Sequence, residues 1–198
     1  MNAKGDKNRS VRSTKRNLQK AMVKLLKDKT IERITVRELT ELADMNRATF
    51  YLHYKDTYDL LEQMEQSAIM EMQEFLTSDA LQNFSKDGYS MLEQVFFYLY
   101  ENQDRFIVLF GPNGRREAKR KVIDLNTEFF LKVLSEDQGY ARTAMMEMGA
   151  RFLLAGAFEV LEQQILRGCF LDNKELIQFY SYVTKQVFVS TQENLIKK

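Results

Sequence analysis

One proline in 198 residues, Pro112, limits what this chain can fold into more than any other feature. Proline and glycine end helices and shape turns, and only 8 glycines accompany that proline. The stretches between are rich in Leu, Met, Glu, Gln and Lys, which are good helix formers. No run of Val, Ile or Thr alternates apolar and polar residues, so nothing reads as a strand. An all-α protein is therefore expected. Apolar residues make up 44% of the chain, which is enough for a packed core.

Periodicity and capping residues then divide the chain. Residues 1–10 have no apolar anchor beyond Met1 and are expected to form a flexible basic arm. A helix is predicted over about 14–27, capped by Ser13 or Thr14, with Leu18, Ala21, Met22, Leu25 and Leu26 on one face and lysines on the other. Thr35 followed by Glu38 forms a capping box that starts a helix at Val36, whose buried stripe is Val36, Leu39, Leu42 and Ala43. Asp44-Met45-Asn46 breaks that pattern, and a short helix follows over about 47–53. Asp56 or Thr57 can cap a long helix over 58–76. Further helices are predicted over about 90–101, 116–135, 140–167 and 173–196, the last with a capping box of Asp172 and Glu175. Gly111-Pro112-Asn113-Gly114 is the strongest turn in the chain.

The net charge of +1 conceals an asymmetry. Residues 1–57 carry 14 Lys/Arg against 7 Asp/Glu, and residues 58–198 carry 15 against 21. A basic first quarter on an acidic body points to an anionic partner for the first part alone, or to no more than a solvated tail.

Several function classes fall away. With one histidine, His53, the chain cannot supply the two Glu-x-x-His motifs of a di-iron bundle. There is no Walker loop, no Gly-x-Gly-x-x-Gly and no credible Ser/His/Asp or Cys/His set, so an enzyme is not expected and neither is a cofactor or metal. Cys169 stands alone, which rules out an intrachain disulfide and suits a reducing cytoplasm. The basic N-terminus lacks the apolar run of a signal peptide, and no stretch approaches the roughly 20 apolar residues of a membrane span.

The informative segment is 35–57, two short helices joined by three or four residues. In a helix-turn-helix the first helix braces the second, which projects into a major groove about 12 Å wide. Its buried side is expected to use Ala48, Phe50 and Leu52, with Met45 filling the turn. Its exposed side offers Asn46, Arg47, Thr49, Tyr51 and His53. The run from Ile34 to Asp56, and Thr49-Phe50-Tyr51-Leu52-His53-Tyr54-Lys55-Asp56 within it, closely resembles the DNA-binding domain of TetR-type transcriptional regulators. The resemblance covers about residues 11–62; beyond them only the general architecture is similar. It departs at Asp44, where the family usually has a turn glycine, and at Thr57, where many members have lysine.

The resemblance implies an N-terminal three-helix helix-turn-helix DNA-binding domain over 1–57 and a C-terminal helical ligand-binding and dimerisation domain over 58–198. It implies that Thr35 and Arg37 meet phosphates, and that Asn46, Arg47 and Thr49 face base edges. It further implies that Tyr51 and His53 reach phosphate or sugar, and that Tyr54 and Lys55 hold the backbone at the start of the next helix. Lys4, Lys7, Arg9 and Arg12 either reach the minor groove or stay in solvent.

In the body, the small residues Gly149, Ala150, Ala155, Gly156 and Ala157 and the apolar stripe of the last helix suit a homodimer built from the last two helices, or only close the core of the monomer. Phe97, Phe106, Phe110, Phe130, Met148 and Phe152 are candidates to line a pocket for a small apolar effector, or are plain core. Arg115, Arg116, Lys119, Arg120 and Lys121 form a solvated face or an anion site. The C-terminal half also resembles regulators grouped with a dihydroxyacetone kinase activator. The expected function is a ligand-responsive repressor that binds a palindromic operator as a dimer. The alternatives are an activator and a co-regulator acting through a protein partner.

Overall fold

The computed structural model describes residues 3–78, 94–95, 97–99, 101–102, 106, 108, 111, 113–136, 141–167, 174–176, 178–180, 182–183 and 186. Six helices are complete within them: α1 (Ala3–Leu26), α2 (Val36–Leu42), α3 (Arg47–Tyr51), α4 (Thr57–Leu76), α5 (Arg116–Glu136) and α6 (Ala144–Arg167). A 3-10 turn, Ile31–Arg33, links the first two and buries Ile31. Further helical residues fall within 94–108 and 174–186, and among the described residues there is no strand. The fold is all-α, with a helix-turn-helix region leading into a helical body.

The first helix departs from expectation. No cap forms at Ser13 or Thr14, and α1 runs back to Ala3 through the basic arm. The arm contains no proline and few β-branched residues, so nothing in it stops a helix already nucleated on Leu18, Ala21, Met22 and Leu26. The capping box of α2 forms as read: Glu38 N–H donates to Thr35 Oγ1, and Thr35 N–H donates to the Glu38 carboxylate. The Lys29 ammonium and that N–H hold the Glu38 carboxyl below the usual carboxylate range. Thr35→Ala is expected to cost about 1 kcal/mol, read by urea denaturation; an unchanged midpoint would show that the cap is dispensable.

The end of α2 sets up the motif. Met45 N–H donates to Thr40 O at 2.8 Å and Asp44 N–H to Glu41 O at 3.3 Å, the paired bonds of a Schellman turn. That turn needs a left-handed residue, and Asp44 supplies it at φ 53°. Glycine adopts this conformation without the Cβ clash. Asp44→Gly is therefore expected to raise stability by up to about 1 kcal/mol, and a lower melting temperature would refute this account of the turn.

Most of the buried apolar residues form one continuous cluster, and Ala157, Leu176 and Tyr180 form a second, smaller one. Leu18 and Met22 of α1, Leu39 of α2, Phe50 of α3, Leu60 and Leu61 of α4, Val122 and Phe130 of α5, and Ala150 and Phe158 of α6 all belong to the larger one. The core therefore passes without a gap from the helix-turn-helix into the body. The segment before α5 adds polar ties. Asn113 Nδ2 donates to Leu26 O at 2.9 Å, although the two residues are 87 apart in sequence. Arg115 Nε donates to both carboxylate oxygens of Glu65 at 2.9 Å, with Nη2 adding a further bond. The Glu65 side chain is only 4% exposed, so the pair is buried on the carboxylate side. Ion pairs also connect α5 and α6, among them Lys119–Glu162 and Arg151–Asp124, while Arg142 just before α6 meets Glu128 on α5.

Candidate nucleic-acid interface

The surface around α3 is organised by one anchor. Phe50 is fully buried, with Tyr54 tilted against it at 5.7 Å between ring centroids and Tyr51 edge-on at 5.5 Å. Asn46 caps the helix: its Oδ1 accepts from Ala48 N–H at 2.9 Å. Its amide nitrogen is left for other partners. Arg47, the first residue of α3, is exposed, and among the described residues no carboxylate pairs with it. Tyr51 is 59% exposed, and Thr49 and His53 are half-buried on its flanks.

Two expectations about this helix need correction. The sequence groups Ala48 and Leu52 with Phe50 as its buried side, but Ala48 is exposed and Leu52 is 80% exposed. Residues two apart lie on nearly opposite sides of a helix, so a helix that buries Phe50 must turn both outward. Tyr54, expected along the DNA backbone, is instead core, only 3% exposed. It follows Phe50 by one turn of chain and shares its inner side, and the Lys15 ammonium covers its ring at 5.6 Å from the centroid. Helical spacing from Phe50 places Leu52 on the outer side, where it joins the exposed face.

The flanking residues are arranged by local bonds. Arg37 Nε donates to Glu41 Oε1 at 2.7 Å on the exposed side of α2, and that carboxylate raises the guanidinium pKa further. The Thr35 hydroxyl is engaged with Glu38. Asp56 caps α4 through Asp59 N–H at 2.8 Å, and Thr57 is buried beneath it, so residue 57 presents no side chain to a phosphate. Lys55 is exposed, and its N–H donates to Asp59 Oδ2.

Burial, with the Asp59 charge adding to it, pushes the Tyr54 phenol up to about 12. Burial does the same to Tyr180, whose hydroxyl donates to Gly156 O at 2.9 Å. The unfolded chain releases these protons near pH 10, so the folded form binds more protons above that pH. Stability from the two phenols is complete below about pH 10 and drains as pH rises towards about 12. Urea midpoints at pH 8 and 11 check this: the drop should shrink in a Tyr54→Phe, Tyr180→Phe double variant, and an equal drop would discard it.

The pocket candidates do not converge. Phe106 and Phe130 are buried in the core, but Phe97, Met148 and Phe152 are 56%, 71% and 72% exposed. Phe110 and the Asp172 cap lie outside the described residues. The reason is the register of α6. Met146, Ala150, Leu153, Leu154, Ala157 and Phe158 form its buried stripe, which turns Met148 and Phe152 to the opposite side. The basic cluster after the turn is largely paired internally: Arg115 with Glu65, Lys119 with Glu159 and Glu162, and Arg120 with Asp124.

Comparison with known proteins identifies the chain. Residues 86–186 match the TetR-type family model of the transcriptional regulator C-terminal region. The chain belongs to the TetR family of transcriptional regulators. This is a DNA-binding, non-enzymatic family, and none of the described helices of this TetR regulator is long and apolar enough to cross a membrane. Its fold is shared with a TetR transcriptional regulator from Streptococcus agalactiae at 20% identity, covering 90% of this chain and 97% of that one, with a TM-score of 0.61. SmeT, the repressor of the Stenotrophomonas maltophilia multidrug efflux pump SmeDEF, is similar at 17% identity over 87% of this chain and 90% of its own, TM-score 0.59. The dihydroxyacetone kinase operon activator DhaS is similar at 18% identity over 89% and 95%, TM-score 0.53. An uncharacterised helix-turn-helix regulator of Bacillus subtilis, YxbF, is 36% identical over 50 residues, which are 25% of this chain and 13% of that protein.

Proposed function

We propose that this TetR-family protein represses transcription by reading a near-palindromic operator as a homodimer, and that a small molecule bound in the body changes its affinity for that operator. The observation that carries the proposal is the division of α3 into one buried anchor, Phe50, and an exposed face of Arg47, Tyr51 and Leu52. Arg47 suits the O6 and N7 of guanine, and Leu52 and Ala48 suit thymine methyls. Thr49 and the Asn46 amide nitrogen supply polar contacts to base edges. Arg37, His53 and Lys55, with the backbone around Thr35, supply phosphate contacts, while Tyr54 braces α3 from beneath.

The dimer reading rests on the second face of α6. Met145, Met148 and Phe152 are exposed there, with Phe179 and Tyr182 of the C-terminal segment also exposed. A side chain added at Gly156 would meet nothing within 4 Å, so no contact inside the protomer requires that glycine. Such an apolar patch is what a partner helix covers. A twofold pair would set its recognition helices about 34–36 Å apart, in successive major grooves. Phe152→Asp is expected to halve the mass measured by light scattering and to weaken operator binding. A dimer that survives it would move the interface elsewhere.

The reading as a whole is tested by selecting sites from a random duplex library and placing the winner across a promoter in purified transcription. An enriched near-palindrome and falling transcript with added protein are expected. Rising transcript would make the protein an activator, and no enrichment would mean that DNA reading is not its function. Phe106 and Phe130, each buried in the core, mark where the body's interior would be searched for an effector.

A further inference from the structure

The lysine-bearing face of the first helix lines a groove. Arg16, Lys20, Lys24 and Lys27 form one wall of an open cleft of about 860 Å³ between α1 and α4. The floor is apolar, from Val23 on α1 and Met64 and Ala68 on α4. One carboxylate, Glu71, also lines the cleft. The first three cations recur every four residues, about 6 Å apart along the helix axis.

Many cations elsewhere in the chain have acidic partners. Lys119, Arg142 and Arg151 are each matched to carboxylates. Among the described residues, no carboxylate pairs with Arg16, Lys20 or Lys24, although Glu71 stands within the same cleft. Uncompensated like charges held in a row repel one another and concentrate anions from solution. The cleft runs along α1 away from Lys15, which sits over Tyr54 beside the recognition helix, towards Leu26, which the Asn113 amide holds. Its lining comes from α1, the adjoining Lys27 and α4, with no residue of α2 or α3.

We propose that this cleft binds a small polyanion carrying two or more phosphate-type charges, held by Lys20, Lys24 and Arg16 over the apolar floor. A singly charged amphiphile would use one cation of the row and find three apolar residues beneath it, so the match is to multiple charge. The source of the phosphates is either a nucleotide, whose base lies on Val23 and Ala68, or a free polyphosphate.

The test is calorimetric titration of the full-length protein, without DNA and at constant ionic strength, with ATP and separately with inorganic triphosphate. Saturable binding at one site per protomer is expected. Tighter binding of ATP assigns the ligand to nucleotides, and equal or tighter binding of triphosphate assigns it to polyphosphates. The Lys20→Gln, Lys24→Gln double variant should lose about tenfold or more in affinity for the better probe while keeping its melting temperature, because both side chains are exposed. Arg47→Ala should bind the probe as the parent does. Absence of saturation up to about 5 mM of either probe overturns the proposal. So does loss of binding in Arg47→Ala with the double variant unaffected, which would place the anion on the DNA-reading face.

Discussion

Arg115→Ala is expected to cost about 2–3 kcal/mol of stability and to lower the melting temperature by roughly 5–10 °C. The cause is the carboxylate left behind rather than the bond removed. The Glu65 side chain is 4% exposed and takes three hydrogen bonds from the Arg115 guanidinium. Removing one partner of a fully buried pair typically costs about 3–5 kcal/mol. Here the Arg115 side chain is 37% exposed, so water can reach the vacated side and soften the penalty. A second variant separates the two explanations. Arg115→Met with Glu65→Leu removes both charges and should recover most of the loss, since a well-packed apolar pair can replace a buried ion pair. Urea denaturation of the parent, the single variant and the double variant settles it. If the single variant is as stable as the parent, Glu65 does not depend on Arg115.

Arg47→Ala is expected to lower affinity for the selected operator by about 5- to 150-fold per half-site, from the roughly 1–3 kcal/mol that a bidentate guanine contact contributes. The fold should be untouched, because Arg47 is exposed and the helix is held by Phe50 and capped by Asn46. Its loss should also flatten the preference at one operator position. Lys55→Gln provides the contrast: an exposed lysine beside the start of α4 is expected to weaken selected and scrambled duplexes alike and to reduce the salt slope by about one. Electrophoretic or fluorescence titrations at two salt concentrations distinguish these patterns. Equal loss on both duplexes in Arg47→Ala would make that residue a backbone contact and move sequence reading elsewhere.

The local features of this fold were legible in the sequence because they are encoded within a few residues of one another. The Thr35–Glu38 capping box, the Asp56 cap and the long helices near 116–135 and 140–167 all follow from short-range chemistry. Facing was less legible where an element is short. Five residues of α3 give no repeat long enough to reveal a period, so Ala48 and Leu52 were grouped with Phe50 although helical geometry separates them. Tyr54 misled for another reason: its hydroxyl suggested a phosphate contact, and only the packing of its ring on Phe50 shows it to be core. On α6 apolar residues lie on both faces, so the sequence could not say which stripe the protomer buries and which it leaves bare. Contacts such as Arg115–Glu65, across 50 residues, leave no local trace at all.

The segment from Gly111 to Arg115 has a bearing on how such proteins can be recombined. A chimera that joins residues 1–57 to a foreign body would sever α4 from the core it shares with α1 and α3. It would also leave the Leu26 carbonyl without the Asn113 amide. The unit that transplants intact is larger than the DNA-reading motif: it runs through α4 and must bring, or find waiting, an asparagine and an arginine at the mouth of the next long helix. Operator preference in this chain is thus portable only together with part of the machinery that would regulate it.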